Sequence, residues 1–223
     1  MNNYLIIVAG GTGNRMNNTI PKQFIQLNGK EIILYSIEKF RLYQKQIPII
    51  IAVHKEYLEW MQQLLTKHKL ENIEICEGGE TRFHSVKKAL RLLKDKSGIV
   101  GIHDAARPFV SVSTIHRCFD MASKKLNAVP SIPVGESLRV IENNKNKAVP
   151  RNQYSIIQTP QCFDISKIQK AYEVNYNENF TDDASVYETA GESIYLVEGN
   201  SENIKITHPN DLIIAQAYLN VEQ

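Results

Sequence analysis

The run Ala9-Gly10-Gly11-Thr12-Gly13-Asn14-Arg15-Met16, followed by Pro21-Lys22-Gln23, carries the residue types that hold phosphate. Glycines let a backbone approach an anion closely, and a turn built from them presents N–H groups to it. Arg15 and Lys22 add the countercharge. Neither of the two common phosphate loops is present. There is no G-x-x-x-x-G-K-[ST], and Met16 stands where G-x-G-x-x-G needs its third glycine.

Two further segments carry candidate chemistry. Asp104, in His103-Asp104-Ala105-Ala106-Arg107-Pro108, ends an apolar run and so faces whatever binds beyond a strand. A carboxylate there suits Mg²⁺, which takes one or two carboxylates together with substrate phosphates. It could equally cap a helix or pair with Arg107; the phosphate loop upstream favours the metal. Arg107 reads as a structural partner, and His103 as a packed, hydrogen-bonded histidine. Gly78-Gly79-Glu80-Thr81-Arg82-Phe83-His84-Ser85 runs from a strand into a helix. Arg82 and Ser85 are three apart and share one face of its first turn. This segment is either a ligand-binding turn or simply a tight turn with Thr81 as cap.

Other motifs have plainer readings. Lys205 interrupts a β-like run, Glu202–Thr207, where a lysine ordinarily points to solvent. Thr181-Asp182-Asp183-Ala184-Ser185 reads as a capped helix start. Gln158-Thr159-Pro160-Gln161 reads as extended, because residues before proline avoid the helical region. Cys76, Cys118 and Cys162 are odd in number and widely spaced, with no metal motif. They are expected to be free, non-nucleophilic thiols in a reducing cytoplasm. No Ser/His/Asp triad or H-E-x-x-H is visible, so the chemistry that fits is the positioning and charge neutralisation of phosphates.

The elements that must position these residues alternate. Strand-like runs at Tyr4–Ala9, Ile47–Val53, Ile73–Cys76, Ile99–His103 and Ala128–Pro133 are interleaved with helical patterns at Ile32–Leu42, Tyr57–His68, Arg82–Leu93 and Thr114–Ser123. Such alternation predicts an α/β fold, a mainly parallel sheet with helices on both faces, and a ligand crevice beyond the carboxyl ends of the strands. The pattern breaks at 134–153, which reads as two short strands around a turn-rich tip and hence as a projecting β-arm. Helices at Ile165–Tyr172 and Asp182–Ala190, a strand at Ile194–Val197 and a last helix beginning near Pro209 complete the prediction.

The 223 residues fit one domain, 1–223, with a sizeable core. A net charge of +2 is too mild to indicate nucleic acid. No run approaches the length of a membrane span, and the first apolar run is too short for a secretory signal. The expected partners are therefore small molecules, with neither nucleic acid nor membrane.

Taken together in this order, the segments at 9–16, 21–23, 78–86, 103–108, 158–161, 181–185 and 199–207 resemble the 2-C-methyl-D-erythritol 4-phosphate cytidylyltransferases of the non-mevalonate isoprenoid pathway. The resemblance implies a Rossmann-like three-layer α/β/α nucleotidyltransferase fold, a homodimer, and Mg²⁺ or another divalent cation as cofactor. It implies that Arg15, Lys22 and Lys205 grip the CTP phosphates as catalytic residues. Ala9, Gly10, Gly11, Gly13, Gly79, Arg82, Ser85 and Ala105 would bind the nucleotide, with Ser85 reading the pyrimidine edge, and Asp104 would hold the metal. The arm would cross the dimer and carry Ser137 and Arg151 to the partner's methylerythritol phosphate, with Thr159 near that substrate. Two departures stand in the arm. Glu136-Ser137 replaces an Asp-Thr pair but keeps the hydroxyl, and Pro150-Arg151 replaces Asp-Arg but keeps the arginine. The rival resemblances are a ribitol 5-phosphate cytidylyltransferase, a sugar-1-phosphate nucleotidylyltransferase and a non-catalytic nucleotide-binding protein.

Overall fold

The first apolar run forms β1 (Asn3–Ala9) at the centre of an eight-stranded sheet. The computed structural model describes residues 1–11 and 21–221. A small hairpin, β2 (Gln26–Leu27) and β3 (Lys30–Glu31), leads into α1 (Ile32–Tyr43) and β4 (Ile49–Val53). Then come α2 (Leu58–Lys67), β5 (Ile73–Glu77), α3 (Arg82–Arg91), β6 (Ile99–Asp104), α4 (Val112–Lys125) and β7 (Asn127–Pro133). The arm is β8 (Leu138–Glu142) and β9 (Lys145–Val149). The chain closes with β10 (Ser155–Ile157), β11 (Gln161–Asp164), α5 (Ile165–Ala171), α6 (Asp183–Thr189), β12 (Leu196–Glu198) and α7 (Pro209–Val221).

The sheet order is β10-β7-β11-β6-β1-β4-β5, with β12 also paired to β7. From β6 to β5 every pairing is parallel, as the strand–helix alternation requires. Beyond β6 the sheet is mixed: β11 runs antiparallel to both β6 and β7, while β12 is parallel to β7. Strands β10 and β11 are short and stand on either side of the 158–160 segment, too few residues each to show an apolar pattern in the sequence. No strand forms at 202–207, a segment that pairs in no sheet.

Side chains alternate across a strand, so one strand feeds two cores. Leu5, Ile7 and Ala9 of β1 pack with Phe40 of α1, Met61 of α2 and Phe119 of α4. Ile6 packs on the other face with Phe83 and Val86 of α3, Ile168 of α5 and Tyr187 of α6. This is the three-layer α/β/α arrangement. A third cluster joins Leu27, Ile32, Phe109 and Ile206 to Ala215 and Leu219 of α7. Among the described residues, no helix is long and apolar enough to cross a membrane.

The arm is a separate two-stranded ribbon, with register from Leu138↔Val149 to Glu142↔Lys145. Asn143 and Asn144 turn its tip at φ 49° and 61°. Positive φ at both central residues is the hairpin turn that matches strand twist, and asparagine tolerates it. Ile141 at the tip is 75% exposed.

Entry into β6 depends on Gly98, at φ +134°, where a Cβ would lie 2.1 Å from the Asn2 carbonyl oxygen. That carbonyl accepts the Ile99 N–H at 2.9 Å, so the two backbones cannot separate freely. Gly98→Ala is therefore expected to destabilise the fold by about 1–3 kcal/mol in urea unfolding. An unchanged midpoint would show that the turn yields without cost.

Candidate active site

The crevice lies at the carboxyl ends of β1, β5 and β6, where a parallel sheet leaves backbone groups open. Beyond β1, buried Gln23 ties down the chain. Its Nε2 donates to the Ala9 carbonyl at 2.6 Å and the Gly11 carbonyl at 3.1 Å. Gln23 sits in a single helical turn, Lys22–Phe24, anchored by Phe24 against Trp60 with ring centroids 4.2 Å apart. Lys22 is thereby delivered to the mouth of a cavity of about 300 Å³. Gly10, Gly11, Gly79, Arg82, Ser85, Asp104, Ala105 and Lys205 line it too. Eight of the expected nucleotide-binding, metal-binding and catalytic residues thus meet Lys22 on one surface; Ala9 does not line it and is joined to it only by the Gln23 bond to its carbonyl. Arg15 and Gly13 lie outside the described residues.

The turn after β5 is shaped by close approach. A Cβ on Gly79 would fall 2.3 Å from the His84 Cβ, and one on Gly10 would fall 3.1 Å from the Ser85 Oγ. The Ser85 hydroxyl accepts the Gly79 N–H at 3.0 Å and donates to the Thr81 carbonyl at 3.0 Å. Ser85 therefore holds the turn together as well as lining the cavity. Thr81 is also the helix cap, its side chain accepting from the His84 N–H.

Asp104 is the electrostatic centre. Its Oδ1 accepts from Arg82 Nε at 3.1 Å, and its Oδ2 meets Lys205 Nζ at 2.9 Å and Arg107 Nε at 3.4 Å. Burial alone would raise its pKa, but Arg82, Lys205 and Arg107 outweigh burial and hold it well below the usual carboxylate range. Arg107 is the structural partner expected of it; its Nη1 also donates to the Asn203 carbonyl at 2.9 Å. His103 is fully buried, with Nε2 on the Arg107 carbonyl at 3.1 Å and Nδ1 on the Thr159 hydroxyl at 3.0 Å. A carbonyl can only accept, so Nε2 carries the hydrogen and Nδ1 accepts from Thr159. Burial lowers the His103 pKa to about 4, so the ring is neutral at pH 7. Thr159 in turn accepts the Asp104 N–H at 3.1 Å, locking the carboxylate's backbone.

Lys205 reaches this centre because its neighbours are anchored. Ile206 is fully buried and its N–H donates to the Ala106 carbonyl at 2.9 Å, while Ile204 packs on the same cluster. The plain reading of a solvent-facing strand lysine is thus replaced: the flanking isoleucines go inward and Lys205 turns toward Asp104. A buried amide, Asn203 Nδ2, donates to the Thr159 carbonyl at 2.8 Å and fixes the approach.

A second polar cavity of about 190 Å³ opens on the other side of the same wall. It is lined by Arg82, Asp104 and Lys205 again, with Arg107, Gln158, Thr159, Gln161, Thr181 and Asp182. Ser137 and Arg151 line neither cavity. Arg151 lies in a separate crevice beside the arm, its Nη1 on the Gly135 carbonyl.

Asp182 caps α6 as expected, with Ser185 completing a capping box. Asp183 does something the capping reading missed. It is fully buried and grips the Arg82 guanidinium through both oxygens, at 2.8 and 2.7 Å. The available signal was the acidic pair itself, since one helix start needs only one cap.

Among the described residues, no group of three His, Cys, Asp or Glu side chains could hold a metal by itself. Asp104 supplies one carboxylate, which suits a Mg²⁺ whose other ligands are phosphate oxygens and water, and the ion would share its oxygens with Arg82, Lys205 and Arg107.

Ser85→Ala leaves the Gly79 N–H without its partner and is expected to weaken nucleotide binding by about 1–3 kcal/mol with the fold intact. Calorimetry with CTP reads this, and unchanged affinity would remove Ser85 from the turn's support. Burial, and next Glu74, push the half-buried Cys76 thiol up to about 11, against the pull of Lys88. At pH 8 it therefore remains a thiol, and iodoacetamide is expected to label it far more slowly than a free model thiol. Labelling at the free rate would contradict that environment.

The family described as 2-C-methyl-D-erythritol 4-phosphate cytidylyltransferase matches residues 4–221. Enzymes of that name from Bacteroides thetaiotaomicron and Bacteroides fragilis are similar to this chain. The first is 42% identical over 98% of this chain and 100% of the relative. The second is 44% identical over 96% of this chain and 98% of the relative. A solved structure of 4-diphosphocytidyl-2C-methyl-D-erythritol synthase from Anaerococcus prevotii superposes with a TM-score of 0.85 at 28% identity, covering 98% of this chain and 96% of that one. Fold, crevice and sequence agree: this chain belongs to the 2-C-methyl-D-erythritol 4-phosphate cytidylyltransferase family.

Proposed function

We propose that this chain transfers the cytidylyl group of CTP to 2-C-methyl-D-erythritol 4-phosphate, giving 4-diphosphocytidyl-2-C-methyl-D-erythritol and pyrophosphate. The observation that carries the reading is the pair of cavities sharing one wall, Arg82, Asp104 and Lys205. The glycine-lined cavity takes the nucleotide, and the polar one takes the acceptor, near Thr159.

The acceptor phosphate has a second pKa of about 6 and is largely ionised at neutral pH, so it needs no general base. The obstacle is repulsion between two polyanions. Lys22 and Lys205, with Arg15, hold the phosphates and stabilise charge at the α-phosphorus. An acceptor phosphate oxygen bonds to that phosphorus, the bridging bond to the β-phosphate breaks, and pyrophosphate carries the electron pair away. Asp104 would hold Mg²⁺, which when bound neutralises phosphate charge.

The arm supports a homodimer. A lone two-stranded ribbon is at best marginal in water. Tyr154, Ile156 and Leu196 beside it are 46%, 47% and 50% exposed. In this reading the arm carries Ser137 and Arg151 into the partner's acceptor site. The three free cysteines accord with a cytoplasmic setting.

Lys22→Ala and Lys205→Ala are each expected to lower turnover by about 10²–10³. Pyrophosphate release should occur with methylerythritol phosphate and not with ribitol 5-phosphate, assayed side by side. Turnover of ribitol 5-phosphate instead would keep the nucleotide site and change the acceptor. Mixing inactive Lys205→Ala with inactive Arg151→Ala should restore activity, because one site of a mixed dimer is then intact. No restoration would place Arg151 in its own subunit's site.

A further inference from the structure

Asp183 has a place in the wall that its helix does not explain. Asp182 already caps α6, accepting the Ser185 N–H at 2.9 Å, and also takes Gln161 Nε2 at 2.8 Å. Asp183, the next residue, is fully buried and spends both oxygens on Arg82, while Oδ1 also accepts the Tyr172 hydroxyl at 2.6 Å. Tyr172 is itself fixed by stacking on Phe83, with centroids 4.8 Å apart. Burying an ion pair seldom adds stability over apolar packing. A pair retained here therefore calls for a task of placement.

The geometry supplies the task. A guanidinium can offer a carboxylate two parallel N–H groups. Arg82 meets Asp104 only through its Nε, at 3.1 Å, while Asp183 clamps Nη1 and Nη2 and so fixes where the guanidinium plane lies. Asp104 Oδ2 is thus left to Lys205 and Arg107. We propose that Asp183 is a positioning residue for the transfer reaction: by clamping both Nη atoms it fixes the Arg82 guanidinium where only Nε reaches Asp104, leaves Oδ2 to Lys205, and so keeps Lys205 at the wall between nucleotide and acceptor. Tyr172 completes the restraint. The proposal rests on the function given above, because it needs Lys205 to act on the phosphates.

Asp183→Asn keeps the shape and removes the charge. It is expected to lower kcat about 100-fold, the scale of a 1 Å misplacement. Affinity for Mg–CTP without acceptor, read by calorimetry, should fall no further than it does in Lys205→Ala. In a Lys205→Ala background the same change should cost nothing further, because the two act through one group. A folded Asp183→Asn with wild-type kcat, or one whose loss adds to that of Lys205→Ala, overturns the proposal. If Asp183→Asn shows no thermal transition, Tyr172→Phe replaces it. That variant keeps the ring on Phe83 and the Asp183 charge but removes the hydroxyl that steadies Asp183, and a kcat loss that vanishes in the Lys205→Ala background is expected; wild-type kcat overturns the proposal. A crystal structure of the variant decides independently of turnover. Arg82 swung onto both Asp104 oxygens with Lys205 displaced supports the proposal, and an unmoved guanidinium overturns it. Wild-type protein inactive with methylerythritol phosphate would fail the transfer reading alone.

Discussion

One buried carboxylate, Asp104, balances three cations that arrive from separate parts of the chain. Arg82 comes from the start of α3, Arg107 from the turn after β6, and Lys205 from the segment before α7. A charge in that position is costly unless paired and hydrogen-bonded. Each cation therefore has to be held, and much of the surrounding structure holds them. Asp183 grips Arg82, the Asn203 carbonyl accepts from Arg107, and buried Ile206 seats Lys205. Asp104 and its three cations together carry a net positive charge of two; Asp183 halves it and leaves a positive cluster suited to phosphates.

The apolar architecture serves that cluster. Strand β6 is buried along its whole length and paired on one side to β1 and on the other to β11. Its last residue is Asp104, so the carboxylate's height in the crevice follows from strand register. The His103–Thr159 link then ties β6 to the segment just before β11. Neutral His103 is essential to that arrangement, since a protonated ring would add a fourth cation beside Asp104 and lose its acceptor for the Thr159 hydroxyl.

The parallel half of the sheet was legible because each of its strands is a continuous apolar run, and the glycine-rich turns were legible because they follow those runs. Lys22, Gly79, Arg82, Ser85, Ala105, Asp104 and Lys205 do meet at one crevice, as the motif order implied. Strand β11 was missed because its environment, between β6 and β7, is supplied by sequence neighbours far away. Asp183 was missed for a similar reason. Its partner Arg82 lies 101 residues earlier, and local grammar at a helix start reads any acid as capping chemistry. Lys205 was legible by motif but not by periodicity: alternation of Ile204, Lys205 and Ile206 mimics a strand that does not form. Resemblance carried the arm's roles for Ser137 and Arg151, which a single chain's crevice does not contain.

The most direct measurement of the central claim is Asp104→Asn, followed by unfolding and by pyrophosphate release on the same preparation. Losing the carboxylate leaves Arg107 and Lys205 facing each other without their common partner. The account predicts a fold weakened by about 3–5 kcal/mol, the scale for breaking a buried pair, together with turnover reduced at least a hundred-fold. A variant as stable as wild type and turning over within a few-fold of it would contradict the claim that this carboxylate organises the site.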